Sequence, residues 1–426
     1  MTAVVIPTTG PPGQPDIAYT PNWDKYQDRI KRRQATEDIP KTLPSGFPQK
    51  LDATLAWEGA TVVDEFEWSY QLTENDLAEV HQALQHFKGL GRPLGAVSQE
   101  TFPLPNLHPR LRAISHEIHN GHGFTVVRGV PVHLYSREDN VIIYAGISSH
   151  VATIRGRQDS SYNGKPADVV LAHIKDLSGN AEDSKLIGSP AYTTEKQVFH
   201  TDAGDVIALF ALSEAAEGGD SYLASSWTVY NELARTRPDL IRTLAEPWAN
   251  DEFGKTGPPG YTARPLLYHQ AATESSPERI LIQYARRAFV GYWSLPRTST
   301  IPAITEAQAE ALDALHFTAE KHALALQFRA GDIQFVNNLS VFHARLGFRD
   351  SETKKRHLVR LWLRDEENAW QTPEELKDRW ARVYDGVEEK NQVFPLEAAV
   401  RSASSSAPTM VVSDVNLQAK QVAVSA

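Results

Sequence analysis

The chain has 426 residues, with 43 Lys and Arg against 53 Asp and Glu, a formal net charge of −10, and no cysteine. That balance speaks against nucleic-acid or anionic-membrane partners, and the missing thiols remove disulfides, cysteine–zinc sites, iron–sulfur clusters and thiol catalysis together. No apolar run approaches the ~18–20 residues of a membrane span, and the opening MTAVVIPTTGPPGQPD lacks the charged start and apolar core of a signal peptide, so a cytoplasmic protein is expected.

Residues 1–50, rich in Pro, Gly and polar side chains, read as an irregular N-terminal arm that includes a short basic patch, DRIKRRQ. Residues 51–395 read as one domain, and 396–426 as a disordered, small-residue-rich tail. Helical periodicity is clear in NDLAEVHQALQHFKGLG (75–91), where Leu77, Val80, Leu84 and Phe87 share a face. It recurs at 107–123, 227–245 and 305–326. Strand-like runs follow: GFTVVRGV (123–130), ADVVLAHI (167–174), VIALFAL (206–212), SYLASS (221–226), RPLLYH (264–269), RILIQYA (279–285), DIQFVNNLSVFHAR (332–345) and HLVRLWLR (357–364). Eight such runs with helices before and between them predict a mainly β, α+β fold: a jelly-roll core flanked by helices.

One short motif stands out against that background. His200-Thr201-Asp202 is the only His-x-Asp/Glu triplet in the chain, although composition alone supplies roughly two, so it means little by itself. A loop histidine beside a turn or N-cap aspartate is the bland reading. The distant stretch GDIQFVNNLSVFHARLGFRDSETKKRHLVRLWLRD changes the weighing, because it adds His343 and then Arg356 and Arg360 on another strand. Two imidazoles and one carboxylate make the facial triad of non-haem Fe(II) oxygenases, which leaves coordination positions open for cosubstrate and O2.

In these blocks the chain resembles the TauD/TfdA branch of Fe(II)/2-oxoglutarate-dependent dioxygenases, a clavaminate synthase-like family. GFTVVRGVPV, FHTDAGDVIALFAL, EGGDSYLASSWTVYNEL, GDIQFVNNLSVFHAR and RHLVRLWL stand in family order across most of residues 50–365. The resemblance implies a double-stranded β-helix core and dependence on Fe(II), 2-oxoglutarate and O2. It places His200, Asp202 and His343 on the iron ligands, and Arg356 on the arginine that pairs with the distal carboxylate of 2-oxoglutarate. Such a role suits the planar guanidinium fork. Ser221 falls where many members carry a threonine that bonds the same carboxylate. Because Asp202 is neither Gly nor Ala, halogenation is disfavoured; hydroxylation, desaturation and ring closure all fit.

The substrate is expected to be a small molecule with an anionic handle: an amino acid, a sulfonate or another carboxylate. Arg360 points to the same strand face as Arg356, and Arg286 or Arg287 offers a second cation, since alternation turns only one of the two inward. Asn163, with Tyr162, is a candidate pocket residue. Arg345 reads as structural, and Asn337 and Asn338 as partners for nearby backbone. HEIHNGHG (His116, His119, His122) does not have the His-Glu-x-x-His spacing and reads as a helix end. Two other readings compete: a catalytically silent jelly-roll binding protein, and a His2Asp zinc hydrolase that would leave Arg356 and Ser221 without a role. Homo-oligomerisation is left open by the sequence.

Overall fold

The computed structural model describes residues 10–180, 184–253, 259–274 and 276–401. Eight strands build its centre: β1 (Leu171–Lys175), β2 (Gln197–His200), β3 (Val206–Ser213), β4 (Ser221–Ser225), β5 (Leu324–Leu326), β6 (Ile333–Asn337), β7 (Val341–Arg345) and β8 (His357–Arg364). The smaller sheet has the order β5-β4-β7-β2, all antiparallel. In the larger sheet β6, β3 and β8 are neighbours, β1 pairs with β8, and short strands at 69–71 and 124–128 extend the β6 edge. From β1 to β4 and again from β5 to β8 the chain alternates between the two sheets, with β4 and β5 neighbours in the smaller one, which is the double-stranded β-helix arrangement.

The alternation of side chains decides what faces inward. On β8, Val359, Leu361 and Leu363 pack outward with Val206, Ala208 and Phe210 of β3, beneath helices α2 (Glu74–Leu90), α3 (His108–Asn120) and α4 (Arg137–Val151). Leu358 and Trp362 face the interior with Ile207, Leu209 and Ala211. Arg356 and Arg360 share that parity. On the smaller sheet, Phe199, Ala224, Phe342 and Ala344 point outward to α5 (Ser226–Thr236), α6 (Pro238–Ala245) and α7 (Glu306–Lys321). His200, Ser221, His343 and Arg345 therefore point inward. A further helix, α8 (Lys377–Tyr384), closes the end where β8 finishes.

Several elements depart from the sequence reading. The run 332–345 is not one strand: Asn337 and Asn338 turn the chain, so β6 lies in the larger sheet and β7 in the smaller. Pro238 divides 227–245 into α5 and α6, and 305–326 ends its helix at Lys321, before β5. The stretch 1–50 is not wholly irregular. Trp23–Thr36 forms helix α1, with the Asn22 side chain accepting from Lys25 N–H at its start. Its buried face is Tyr26, Arg29 and Arg33 rather than aliphatic. Arg29 donates to Asp313 at 2.6 Å and Arg33 to Glu310 at 2.6 Å, both on α7, which is why the basic patch lies against the body. Most of the expected tail, 402–426, lies outside the described residues. Among the described residues no helix is long and apolar enough to cross a membrane.

Candidate metal and cosubstrate site

His200 ends β2 directly opposite His343 on β7, with ring centroids 4.1 Å apart. Asp202 sits in the turn between β2 and β3. That turn is fixed by side chains from elsewhere: Asp202 N–H donates to Asn338 Oδ1 (2.7 Å), and Asn338 Nδ2 donates to the carbonyls of Asp202 (2.8 Å) and Gly204 (2.7 Å). Gln283 Nε2 also donates to the Asp202 carbonyl, at 3.1 Å. Gly204 has φ +99°, and a Cβ there would stand 2.7 Å from Tyr384 Oη, so the loop requires glycine. One ligand atom from each of His200, Asp202 and His343 lies within 4.8 Å of the other two, the single such metal-capable group among the described residues. Their side chains keep 10%, 14% and 12% exposure, so the group is nearly but not wholly buried.

The protonation states suit a divalent cation. Burial pushes the His343 imidazole down to about 3, with neighbouring His200 adding to the effect. Burial also lowers His200, against the opposing pull of Asp202. For Asp202, burial acts to raise the carboxyl, but Arg360 and the two histidines hold it well below the usual carboxylate range. His200 Nδ1–H donates to the Val198 carbonyl (2.9 Å), which leaves Nε2 as the lone-pair nitrogen. Two neutral imidazoles and a carboxylate are the donors that Fe(II) takes from a facial triad.

Arg356 lies on the same interior face. It is buried, and among the described residues its Nη1 has no hydrogen-bond partner. Burial, with Arg345 adding to it, pushes the guanidinium down to about 9, still charged at neutral pH. Gly219, at φ +81°, makes room for it, since a Cβ there would stand 3.0 Å from Arg356 Cδ and Nε. The Arg345 and Arg356 guanidiniums lie 4.8 and 5.5 Å from the centroid of the Phe348 ring. Ser221 is buried on β4 opposite Arg345. An unpartnered buried guanidinium is costly, and a carboxylate supplied from outside would satisfy it. The residues present therefore fit 2-oxoglutarate as well as iron.

The remaining candidates divide. Arg360 is at the site: Nη1 donates to Asp202 Oδ2 at 2.6 Å and Nε to Gln158 Oε1 at 2.9 Å. Trp362 Nε1 reaches the same Asp202 oxygen at 3.3 Å. Arg286 does not belong to the pocket. It donates to Asp313 Oδ1 (2.6 Å) and the Ala18 carbonyl (2.8 Å), tying the N-terminal segment to α7. The expectation of alternation fails in form, because the pair begins a short helix, Arg287–Val290, rather than continuing a strand. Arg287 is the inward one: it donates to the Gly188 carbonyl at 2.6 Å and interacts electrostatically with Asp202. Asn163 is an exposed turn residue, not a pocket wall. With Gly164 it makes a two-residue hairpin loop, both residues at positive φ (51° and 73°), as a type I′ turn requires.

Arg345 donates to the carbonyls of Pro190, Thr193 and Glu195, in keeping with a structural role. Two histidines of HEIHNGHG find local partners: His119 bonds the Ser115 carbonyl and His122 bonds Glu117. Sequence reasoning missed Gln158, Gln283, Tyr192 and Trp362. Only Trp362 carried a signal, being two residues past Arg360 on one strand.

The fold and this site define a non-haem iron oxygenase of the jelly-roll type, and the chain belongs to the TauD/TfdA family. Residues 86–362 match the family described as Taurine catabolism dioxygenase TauD, TfdA family. It is an Fe(II)- and 2-oxoglutarate-dependent dioxygenase that uses O2. Among its relatives, the taurine hydroxylase-like protein SAT17 of Stachybotrys chartarum is 38% identical over 330 residues, covering 76% of this chain and 82% of that one. FR-33289 synthase of Streptomyces rubellomurinus is 26% identical over 329 residues, 76% and 93% of the two chains. Among solved structures, an asparagine oxygenase in complex with Fe(II), 2S,3S-3-hydroxyasparagine and succinate shares the fold at TM-score 0.51 and 15% identity, covering 70% of this chain and 93% of that one.

Proposed function

We propose that His200, Asp202 and His343 hold Fe(II), that Arg356 and Ser221 bind the distal carboxylate of 2-oxoglutarate, and that the enzyme oxidises a C–H bond of a small anionic molecule in the cytoplasm. The observation that carries the reading is the convergence of three ligand atoms within 4.8 Å beside a buried guanidinium with an unpartnered nitrogen. When bound, the metal centre supplies the oxidant, and 2-oxoglutarate leaves as succinate and CO2. The chain's own residues do the rest. Arg360 and Trp362 take one oxygen of Asp202, which keeps the carboxylate ionised and sets its orientation. Asn338 and Gln283 hold the loop that presents it. Leu209, Leu358 and Trp362 make an apolar wall that limits water. Arg360 Nη2 has no partner among the described residues, which supports an anionic substrate group beside the metal.

The test is an anaerobic titration with Fe(II) and 2-oxoglutarate, watching for the visible charge-transfer band of a chelated α-keto acid. The wild type should show it, and Asp202→Ala and Arg356→Ala should weaken it at least about ten-fold. No band in iron-loaded wild type would sink the assignment. Activity with Zn²⁺ that ignores both 2-oxoglutarate and O2 would favour a hydrolase instead.

A further inference from the structure

The last described stretch of the chain returns to the site. Phe394 is buried among the helices over the larger sheet, and the Pro395 carbonyl accepts from His173 Nε2 at 2.7 Å. Arg137 Nη1 donates to the Leu396 carbonyl (3.1 Å) and pairs with Glu397 (2.5 Å). Val400 then packs on the cluster of Ile187, Tyr192 and Tyr292. These anchors carry Arg401 onto residues that already serve the triad. Its Nε donates to Tyr192 Oη (3.1 Å), its Nη1 donates to the Gln158 carbonyl (3.1 Å), and its guanidinium lies 5.8 Å from the Trp362 ring centroid. Gln158 and Trp362 are the same residues that hold Arg360 and Asp202.

Three guanidiniums thus gather about Asp202: Arg360 bonds it directly, Arg401 lies over Trp362 beside it, Arg287 is tied to the Gly188 carbonyl, and each interacts electrostatically with Asp202, Arg401 with both of the others. Among the described residues, Nη2 of each has no hydrogen-bond partner. The carboxylates facing them are Asp202 and, beside Arg401, Asp159; Tyr192 lies beside them too, as do Tyr19 and Tyr144, whose phenols burial pushes up and so keeps neutral. One positive charge is left over in the protein. Fe(II) carrying the chelating carboxylate of 2-oxoglutarate adds one more, giving a surplus of two. A zwitterionic amino acid would leave that surplus standing, and burying it uncompensated is expensive.

We infer that Arg401 is a substrate-binding residue, completing with Arg360 and Arg287 a three-arginine site for a doubly charged oxyanion group on the substrate. This rests on the metal and cosubstrate assignment above. Three guanidiniums suit a tetrahedral dianion, a phosphonate or phosphate monoester, in charge and in number of donors.

Methylphosphonate and methanesulfonate test it, because they share shape and differ by one charge. Binding is followed by perturbation of the charge-transfer band in the anaerobic Fe(II)–2-oxoglutarate complex, and by tryptophan fluorescence in metal-free protein. At alkaline pH the wild type should bind methylphosphonate at least about ten-fold more tightly than methanesulfonate, and the preference should vanish at acidic pH, where both carry one charge. Arg401→Gln should remove most of the preference without altering the band itself, and Arg401→Lys should restore part of it. Equal affinities, no binding of either anion, or a preference that survives Arg401→Gln would each overturn the inference. A missing band in wild type counts against the metal assignment instead, and the metal-free fluorescence titration still decides on the arginine site.

Discussion

Two sets of buried arginines lie in this molecule, and they are built on opposite terms. Where α1 meets α7, Arg29, Arg33, Arg237 and Arg286 are each paired with a carboxylate from Asp239, Glu306, Glu310 or Asp313. That set neutralises itself and fastens the N-terminal helix to the body. Inside the jelly roll, Arg345 bonds only carbonyls, Arg356 has no ion pair among the described residues, and Arg360 has Asp202 alone. Unbalanced charge in a fold costs several kcal/mol, so the second set is where we propose that anions from outside complete the structure. Arg286 and Arg287 are neighbours in the chain and fall one on each side of this division.

The largest expected effect lies in the balanced set. Asp313→Ala strands Arg286, leaves Arg29 with Glu306 alone, and should lower unfolding stability by about 3–5 kcal/mol, read from the urea midpoint. Its charge-transfer band with Fe(II) and 2-oxoglutarate should be unchanged. Arg356→Ala should give the reverse signature: 2-oxoglutarate affinity falls on the order of 100-fold, while the urea midpoint stays or rises, because an uncompensated cation is gone. If both variants lose stability alike, the division between holding and binding arginines is wrong.

Imidazoles sharpen the same contrast. His173 and His357 form a buried pair 2.7 Å apart, away from the triad, with His173 also holding the Pro395 carbonyl. Burial, then the neighbouring imidazole, pushes His357 down to about 3, and burial lowers His173 as well. Both folded values lie below the unfolded value of about 6.5, so the unfolded chain takes up protons that the folded chain does not. Their contribution is whole above that pH and is lost as pH falls toward 3. The His357 share of that drop should be about 1–2 kcal/mol between neutral pH and about pH 5, with His173 acting in the same direction, and His357→Gln should flatten the slope.

What was legible in the sequence follows from how local each feature is. The triad was readable because two ligands sit in one tripeptide and the third in a block of known order. Arg356 and Arg360 were readable because strand parity is a local rule. The turn at Asn337–Asn338 was hidden inside an unbroken apolar pattern, and it is what sends β6 and β7 to different sheets. The strands β2 and β5, of four and three residues, were too short to show a period. Helix α1 hid because its buried face is made of arginines, whose partners on α7 are more than 270 positions away. Arg401 was hidden in the same way: its contacts at Gln158, Tyr192 and Trp362 come from three separate segments, and the composition around it reads as tail.

The smallest effect concerns Ser221, and it separates a hydroxyl that binds from one that only fills space. Ser221 shares the interior with Arg356 and sits opposite Arg345 in register. If its hydroxyl donates to the cosubstrate carboxylate, Ser221→Ala removes one hydrogen bond, about 1 kcal/mol, and the KM for 2-oxoglutarate rises roughly five-fold with kcat unchanged. Ser221→Thr keeps the donor and adds a methyl group that suits a strand, so it should hold the wild-type KM. A purely packing role predicts a different order: alanine would be tolerated, and threonine, crowded between Leu326 and Arg345, would be the damaging change. Which substitution raises the KM therefore tells whether β4 contributes to the anion site or only to its wall.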